Sequence, residues 1–246
     1  MSHNSIEIKE GAFVVSDAHY SHLRPELFSL LQEIHSGILK PTQLILMGDI
    51  FDALFGYVTT TCKNNARMIE FINDISKKIE VIYLEGNHDF NLQKVFPLAN
   101  VFSINEQPVI CSFGSKKIAL AHGDFDGDFG YQLYTSLIRN KAIVIMLNLI
   151  DKLSYHTILK EIDAHLGKKD DCKEFVGFRD FIARRSLQKY ECDYFVEGHF
   201  HQNISFDLEK FHYINLGAFA CNQRYFIVKS FQDNELLEEK MFSKEI

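Results

Sequence analysis

The sequence predicts an α/β protein whose strand–helix alternation is interrupted by a helical segment. Three observations predict it. Five apolar runs (Ala12 to Val15, Leu44 to Met47, Val81 to Leu84, Ile118 to Ala121, Tyr194 to Val196) are each followed at once by a polar cluster. Stripes of apolar residues at helical spacing lie between the early runs. Between Asp126 and Tyr190 the strand punctuation disappears. Short runs rich in Val, Ile and Leu read as buried strands. From Ala12 to Leu84 their spacing leaves room for helical crossovers, as in a layered α/β domain.

Taken in order, the strand ending at Val15 is followed by a helix with Pro25 at its first position. Leu27, Leu30, Leu31, Ile34 and Ile38 would share its buried face. Met68, Ile72, Ile75 and Ile79 mark a second helix. The C-terminal third gives strand signals at Tyr194, at Tyr213 to Leu216 and at Tyr225 to Val228. In the interrupting segment, Ala142 to Ile150 is almost wholly apolar and is flanked by Arg139, Lys141 and Lys152. Leu153, Ile158, Ile162 and Leu166 continue the pattern less regularly. Two readings stand for this run. One is a buried core helix. The other is a cap over a site, with an apolar face for a lipid-like group and a basic rim for phosphate. Residues 1–246 are read as one domain, with a helical insertion at about 126–190.

At 46% apolar and 24% charged residues, the 246-residue chain is globular in composition. It has no apolar stretch of the roughly 20 residues that a spanning helix requires. Met1 to Gly11 lacks the apolar core of a secretory signal. The five cysteines form no Cys-x-x-Cys pair and are expected to be reduced, as in a cytoplasmic protein. A net charge of −7 argues against nucleic acid as a partner. The charge is uneven, since Tyr131 to Tyr190 carries 11 Lys and Arg against 7 Asp and Glu.

The five polar clusters are Asp17-Ala18-His19, Gly48-Asp49-Ile50-Phe51-Asp52, Gly86-Asn87-His88-Asp89, His122-Gly123-Asp124 and Gly198-His199-Phe200-His201. Ligands of open α/β sheets gather beyond the carboxyl ends of the strands, so a sheet could bring all five to one edge. Together they offer Asp17, Asp49, His19, His122, His199, His201 and the amide oxygen of Asn87. Such a set suits two cations roughly 3.5–4 Å apart, which activate water and neutralise a phosphoryl group. Oxygen and imidazole donors fit Mn, Fe or Zn, and the lack of sulfur argues against structural zinc. Each cluster alone is a weak signal, more readily a turn or a cap, except that Gly198-His199-Phe200-His201 is moderate because strand alternation would place both imidazoles on one side. The ordered set, each member after a strand, is what carries the signal.

In this order the clusters resemble the signature of the calcineurin-like metallophosphoesterase superfamily, over Asp17 to His201. The resemblance implies a four-layer α-β-β-α sandwich and two divalent metal ions, Mn²⁺ foremost. By that resemblance Asp17, His19 and His201 would bind one metal, and Asn87, His122 and His199 the other. Asp49 would bridge them. His88 would lie near the leaving group, and Asp52 would orient it. A narrower similarity is to the UDP-2,3-diacylglucosamine pyrophosphohydrolases of lipid A synthesis. It rests on chain length, on Gly48 to Asp52 followed by Phe55-Gly56, on His122-Gly123-Asp124, and on the insertion with Tyr131-Gln132. It implies cleavage of a lipid-linked UDP-sugar to UMP and an acylated sugar 1-phosphate, with Tyr131, Arg139 and Lys141 as substrate contacts. It also implies a cytoplasmic enzyme peripheral to the inner face of the inner membrane. One departure is His88, where the best-known branch has arginine. The alternatives are a phosphodiesterase or phosphatase for a soluble nucleotide, and a non-catalytic scaffold, which would be expected to lose ligands that this chain keeps.

Overall fold

The computed structural model describes residues 6–127, 129–159, 161, 172–230 and 235–242. Ile162 and Leu166, expected to continue a helix, lie outside them. Two six-stranded sheets form the centre. One has the order β14 (Leu237–Met241), β13 (Arg224–Val228), β2 (Phe13–Val15), β3 (Gln43–Leu46), β5 (Glu80–Leu84), β7 (Asn100–Phe102). The other has the order β1 (Ile6–Glu7), β8 (Val109–Phe113), β9 (Lys116–Ala121), β10 (Tyr194–Glu197), β12 (His212–Asn215), β11 (Ile204–Asp207). A short parallel pair joins β4 (Leu54–Phe55) to β6 (Asp89–Phe90).

The central strands are buried on both faces, which is why they read as unbroken apolar runs. Register pairs Val14 with Ile45 and Ile45 with Ile82, so these three point to the same side. That side meets Ile118, Leu120 and Val196 of the second sheet. Phe13, Leu44, Val81 and Tyr83 face the other way, onto helices α1 (Glu26–Ser36) and α3 (Ala66–Ser76), the latter directly after the short α2 (Thr59–Asn64). Leu27, Leu30, Leu31 and Ile34 of α1 are buried there, each contributing about 1.5–3 kcal/mol. Beyond the segment formed by α4 (Phe129–Arg139) and α5 (Lys141–Leu153), α6 (Phe178–Arg184) covers the outside of the second sheet. Its Phe178 and Ile182 pack on Ala119, Phe195 and Tyr213. The layers are therefore α-β-β-α.

Several sequence expectations are corrected. Pro25 is the N-cap of α1 rather than its first residue. The helix ends at Ser36, so Ile38 lies beyond it and is exposed. Ile79 likewise falls past α3, partly buried against the same core. The core-helix reading of Ala142 to Ile150 fails. Val144 is buried, but Ile145, Met146, Leu149 and Ile150 are 47%, 53%, 58% and 46% exposed. The cysteines are not all reduced, because Cys172 is disulfide-bonded to Cys221, 49 residues away. A search for short-range pairs cannot find a link made by tertiary folding. Cys62, Cys111 and Cys192 are free. Among the described residues no single helix is long and apolar enough to cross a membrane. Gly130–Arg139 and Lys141–Leu153 reach that composition only jointly, and they are bent by 67°.

Candidate metal centre

All five clusters converge, at the carboxyl ends of strands from both sheets rather than one. β2 carries Asp17 and His19, β3 carries Asp49 and β5 leads to Asn87 and His88. From the second sheet, β9 leads to His122, and β10 to His199 and His201. Main-chain bonds join the loops, with the Asp17 N–H donating to the Gly48 carbonyl (3.1 Å) and the His19 N–H to that of Asp49 (2.9 Å). The His199 N–H donates to both Asp17 carboxylate oxygens, at 3.2 and 3.0 Å, and so ties one sheet to the other.

Three groups of donors result among the described residues. Asp17, His19 and His201 form one, Asp49, His122 and His199 a second, and His19, Asp52 and His88 a third that shares His19 with the first. His201 Nε2 lies 3.0 Å from Asp17 Oδ1. His122 Nε2 lies 3.4 Å from Asp49 Oδ2 and 3.4 Å from Asn87 Oδ1. Nδ1 of His122 is 2.9 Å from the Met47 carbonyl. A carbonyl only accepts, so Nδ1 carries a proton and Nε2 is the nitrogen turned toward the centre.

The backbone is strained where the donors sit. Asp17, His19, Asp49, His199 and His201 have φ of 51°, 44°, 50°, 60° and 59°. Left-handed conformations cost about 1–3 kcal/mol each and persist where surrounding structure over-determines them. Gly86 permits a close approach, since a Cβ there would stand 2.2 Å from Asp49 Oδ1.

Electrostatics favour a cation. Burial opposes ionising Asp17, yet His201 outweighs it and the carboxyl is held below its ordinary range. Burial likewise opposes ionising Asp49, and His122 and His88 hold it low. Burial disfavours charge on His122, but Asp49 beside it raises its pKa well above the usual imidazole value. His199 is pushed down to about 4, by burial first and then by the neighbouring His122. The His19 ring is buried, with Nε2 lacking any hydrogen-bond partner and Nδ1 facing the Asp52 carboxylate at 3.3 Å without forming a well-aligned hydrogen bond. A buried, unpartnered imidazole nitrogen beside ionised carboxylates fits a divalent cation.

His88 stands at the edge of these groups. Its Nε2 is 3.9 Å from Asp49 Oδ2 and its N–H donates to Asp49 Oδ1 at 2.8 Å. Nδ1 is 2.9 Å from the Asp52 main-chain carbonyl. Asp52 thus meets His88 through its backbone, while its carboxylate lies 3.3 Å from His19 Nδ1. The three expected substrate contacts are placed differently. Tyr131 donates to Asp124 Oδ2 at 3.3 Å, and Arg139 Nη2 bonds the same oxygen at 3.1 Å and the Gly86 carbonyl at 3.0 Å. Arg139 is therefore ion-paired to Asp124 and only 9% exposed in its side chain, rather than part of an open basic rim. Lys141 is exposed, with its ammonium 5.5 Å from the centre of the Tyr57 ring.

Sequence reasoning gave no role to Asp89, although it ends the Gly-Asn-His-Asp cluster. Its carboxylate accepts from the N–H groups of Asp49, Ile50, Phe51 and Gly86 and from the Tyr83 hydroxyl. It thereby fixes the loop that carries Asp49. An apolar cavity of about 690 Å³ opens from Asn87 and His88. Tyr134 and Ile138 of α4, and Val144 and Leu147 of α5, line it.

The profile of the calcineurin-like phosphoesterase family matches residues 12–203. A UDP-2,3-diacylglucosamine hydrolase of Histophilus somni is 24% identical over 224 residues, covering 85% of this chain and 92% of that protein. One from Neisseria meningitidis serogroup A is 26% identical over 201 residues, covering 78% and 82%. An archaeal phosphodiesterase structure aligns with 94% of this chain and 99% of its own, at 12% identity and a TM-score of 0.48. With the family match spanning all five clusters, the chain belongs to the calcineurin-like phosphoesterases and is a metal-dependent phosphoesterase.

Proposed function

We propose that the chain hydrolyses the diphosphate of UDP-2,3-diacylglucosamine, giving UMP and 2,3-diacylglucosamine 1-phosphate. The observation that carries this reading is the cavity. It joins Asn87 and His88 to an apolar wall built by α4 and α5, so a phosphate at the donors and acyl chains along the wall can be held at once. The relatives named for that substrate support it. A soluble nucleotide would leave the apolar wall unused.

In this reading Asp17, His19 and His201 would hold one divalent ion, Asn87, His122 and His199 would hold a second, and Asp49 would serve both. Mn²⁺ is the ion we favour, with Fe or Zn as alternatives. Such a pair supplies activation of water and neutralisation of phosphoryl charge. The water oxygen would bond to one phosphorus and give up its proton to solvent, while the bridging P–O bond breaks and its electron pair stays on the leaving phosphate. His88, its Nδ1 proton engaged by Asp52, presents Nε2 to a phosphoryl or leaving oxygen. When protonated it donates there. The exposed Ile145, Met146, Leu149 and Ile150 face outward. We place them against the inner face of the membrane, from which the substrate would enter.

The test compares purified enzyme on UDP-2,3-diacylglucosamine, on soluble nucleotides and on a small chromogenic phosphodiester, each with Mn²⁺. Preferred release of UMP from the acylated substrate is expected. Cleavage of soluble nucleotides alone would favour the second reading.

A further inference from the structure

We propose that Arg185 is a positioning residue that locks together the two loops carrying His122, His199 and His201. The inference rests on the metal reading above and assigns a role to a residue outside the five clusters.

Arg185 follows α6, which is anchored on the second sheet through Phe178 and Ile182. Its side chain is only 8% exposed. Nε bonds both oxygens of Asp126, at 3.1 and 3.0 Å, and Nη2 bonds Asp126 Oδ1 at 2.6 Å. Nη2 also reaches the carbonyl of Gly123, the residue after His122, at 3.2 Å. Nη1 bonds Glu197, two residues before His199. Glu197 is fully buried and also accepts from the Tyr213 hydroxyl. The guanidinium lies 5.2 Å from the ring of Phe200, which sits between the two histidines of its loop, and 5.5 Å from that of Phe125. One planar fork thus holds both loops from behind.

The loops need such a clasp. Gly123 has φ of +133°, and a Cβ there would stand 2.9 Å from His199 Cβ. The imidazoles of His122 and His199 are 5.0 Å apart. Small shifts of either loop would separate two donors for one cation. A buried ion pair is weak as a source of stability but effective at fixing geometry. Outer partners that orient metal ligands are typically worth roughly 10–100-fold in metal affinity.

The test is Mn²⁺ titration of the metal-stripped full chain by calorimetry, with metal content after desalting and thermal melting in parallel. Wild type should bind two ions. Arg185→Met should weaken the ion held by His122 and His199 by roughly 10–100-fold, more than the ion to which His201 alone of these loops contributes, with kcat recovering at high Mn²⁺. Arg185→Lys keeps the charge but loses the fork, and should fall between them. Asp126→Asn, at a more exposed partner, guards against misfolding and should weaken the same site less. A lowered Tm with both affinities unchanged in Arg185→Met and Asp126→Asn would overturn the proposal. Fewer than two ions on wild type would instead overturn the metal reading on which it stands.

Discussion

Asp49 is the residue on which most of the centre turns. Its carboxylate faces His122 Nε2 and His88 Nε2, accepts the His88 N–H, and is held low in pKa by the imidazoles around it. Asp49→Asn keeps the shape and removes the charge that would be shared by two ions. Metal content by mass spectrometry and phosphodiester cleavage should then both be lost. His88 differs, since its Nδ1 is taken by the Asp52 carbonyl and it groups with His19 and Asp52 rather than with Asp17 and His201 or with His122 and His199. His88→Ala should keep metal content near wild type, with kcat reduced by roughly 10²–10⁴, the range of a general acid or charge-stabilising donor. Loss of metal in that variant would place His88 among the ligands. At this scale the sequence was informative about types and order but not about contacts. Asp17, Asp49 and the histidines could be picked out because each follows a strand. The clasp by Arg185 and the loop anchor at Asp89 depend on chain segments brought together only by folding.

The segment from α4 to α6 is where the sequence was least legible. An apolar run such as Ala142 to Ile150 satisfies the same periodicity whether its partner is a core, a ligand or a membrane, and the structure excludes the core. The cavity side of α5 is Val144 and Leu147, with Ile145 and Leu149 on the exposed side. Leu147→Asp should therefore impair turnover of the acylated substrate and spare a small phosphodiester, because remote binding energy supports catalysis only where the remote group exists. Parallel loss on both substrates would show that Leu147 supports the fold instead. Central strands were read to within a residue or two, since β2, β3 and β5 are unbroken apolar runs buried on both faces. Edge strands such as β11 and β14 have exposed, polar positions and give no such signal.

The same segment is tied back by Cys172–Cys221. Cys221 lies in α7 (Phe219–Asn222), whose first N–H groups bond the carbonyls of Ser16 and Asp17 at 2.9 and 3.1 Å. A crosslink of this span should stabilise by about 2–4 kcal/mol. Unreduced, denatured chain should titrate three thiols, and Cys172→Ser should lower Tm. Five titratable thiols would contradict the pairing.

For the molecule as a whole, two sheets facing each other bring polar clusters spread over most of the chain to one end. The helical segment adds an apolar wall beside them. The negative net charge of −7 is distributed so that metal-facing carboxylates are neutralised by imidazoles while the segment around α5 is relatively basic. The most direct test is hydrolysis of UDP-2,3-diacylglucosamine in ¹⁸O-labelled water, by metal-stripped enzyme with Mn²⁺ restored or with chelator present. The account predicts UMP and 2,3-diacylglucosamine 1-phosphate with Mn²⁺, one ¹⁸O in a product phosphate, and no cleavage under chelator. Full cleavage under chelator, or no cleavage of this substrate by an enzyme that holds two Mn²⁺ ions, would contradict it.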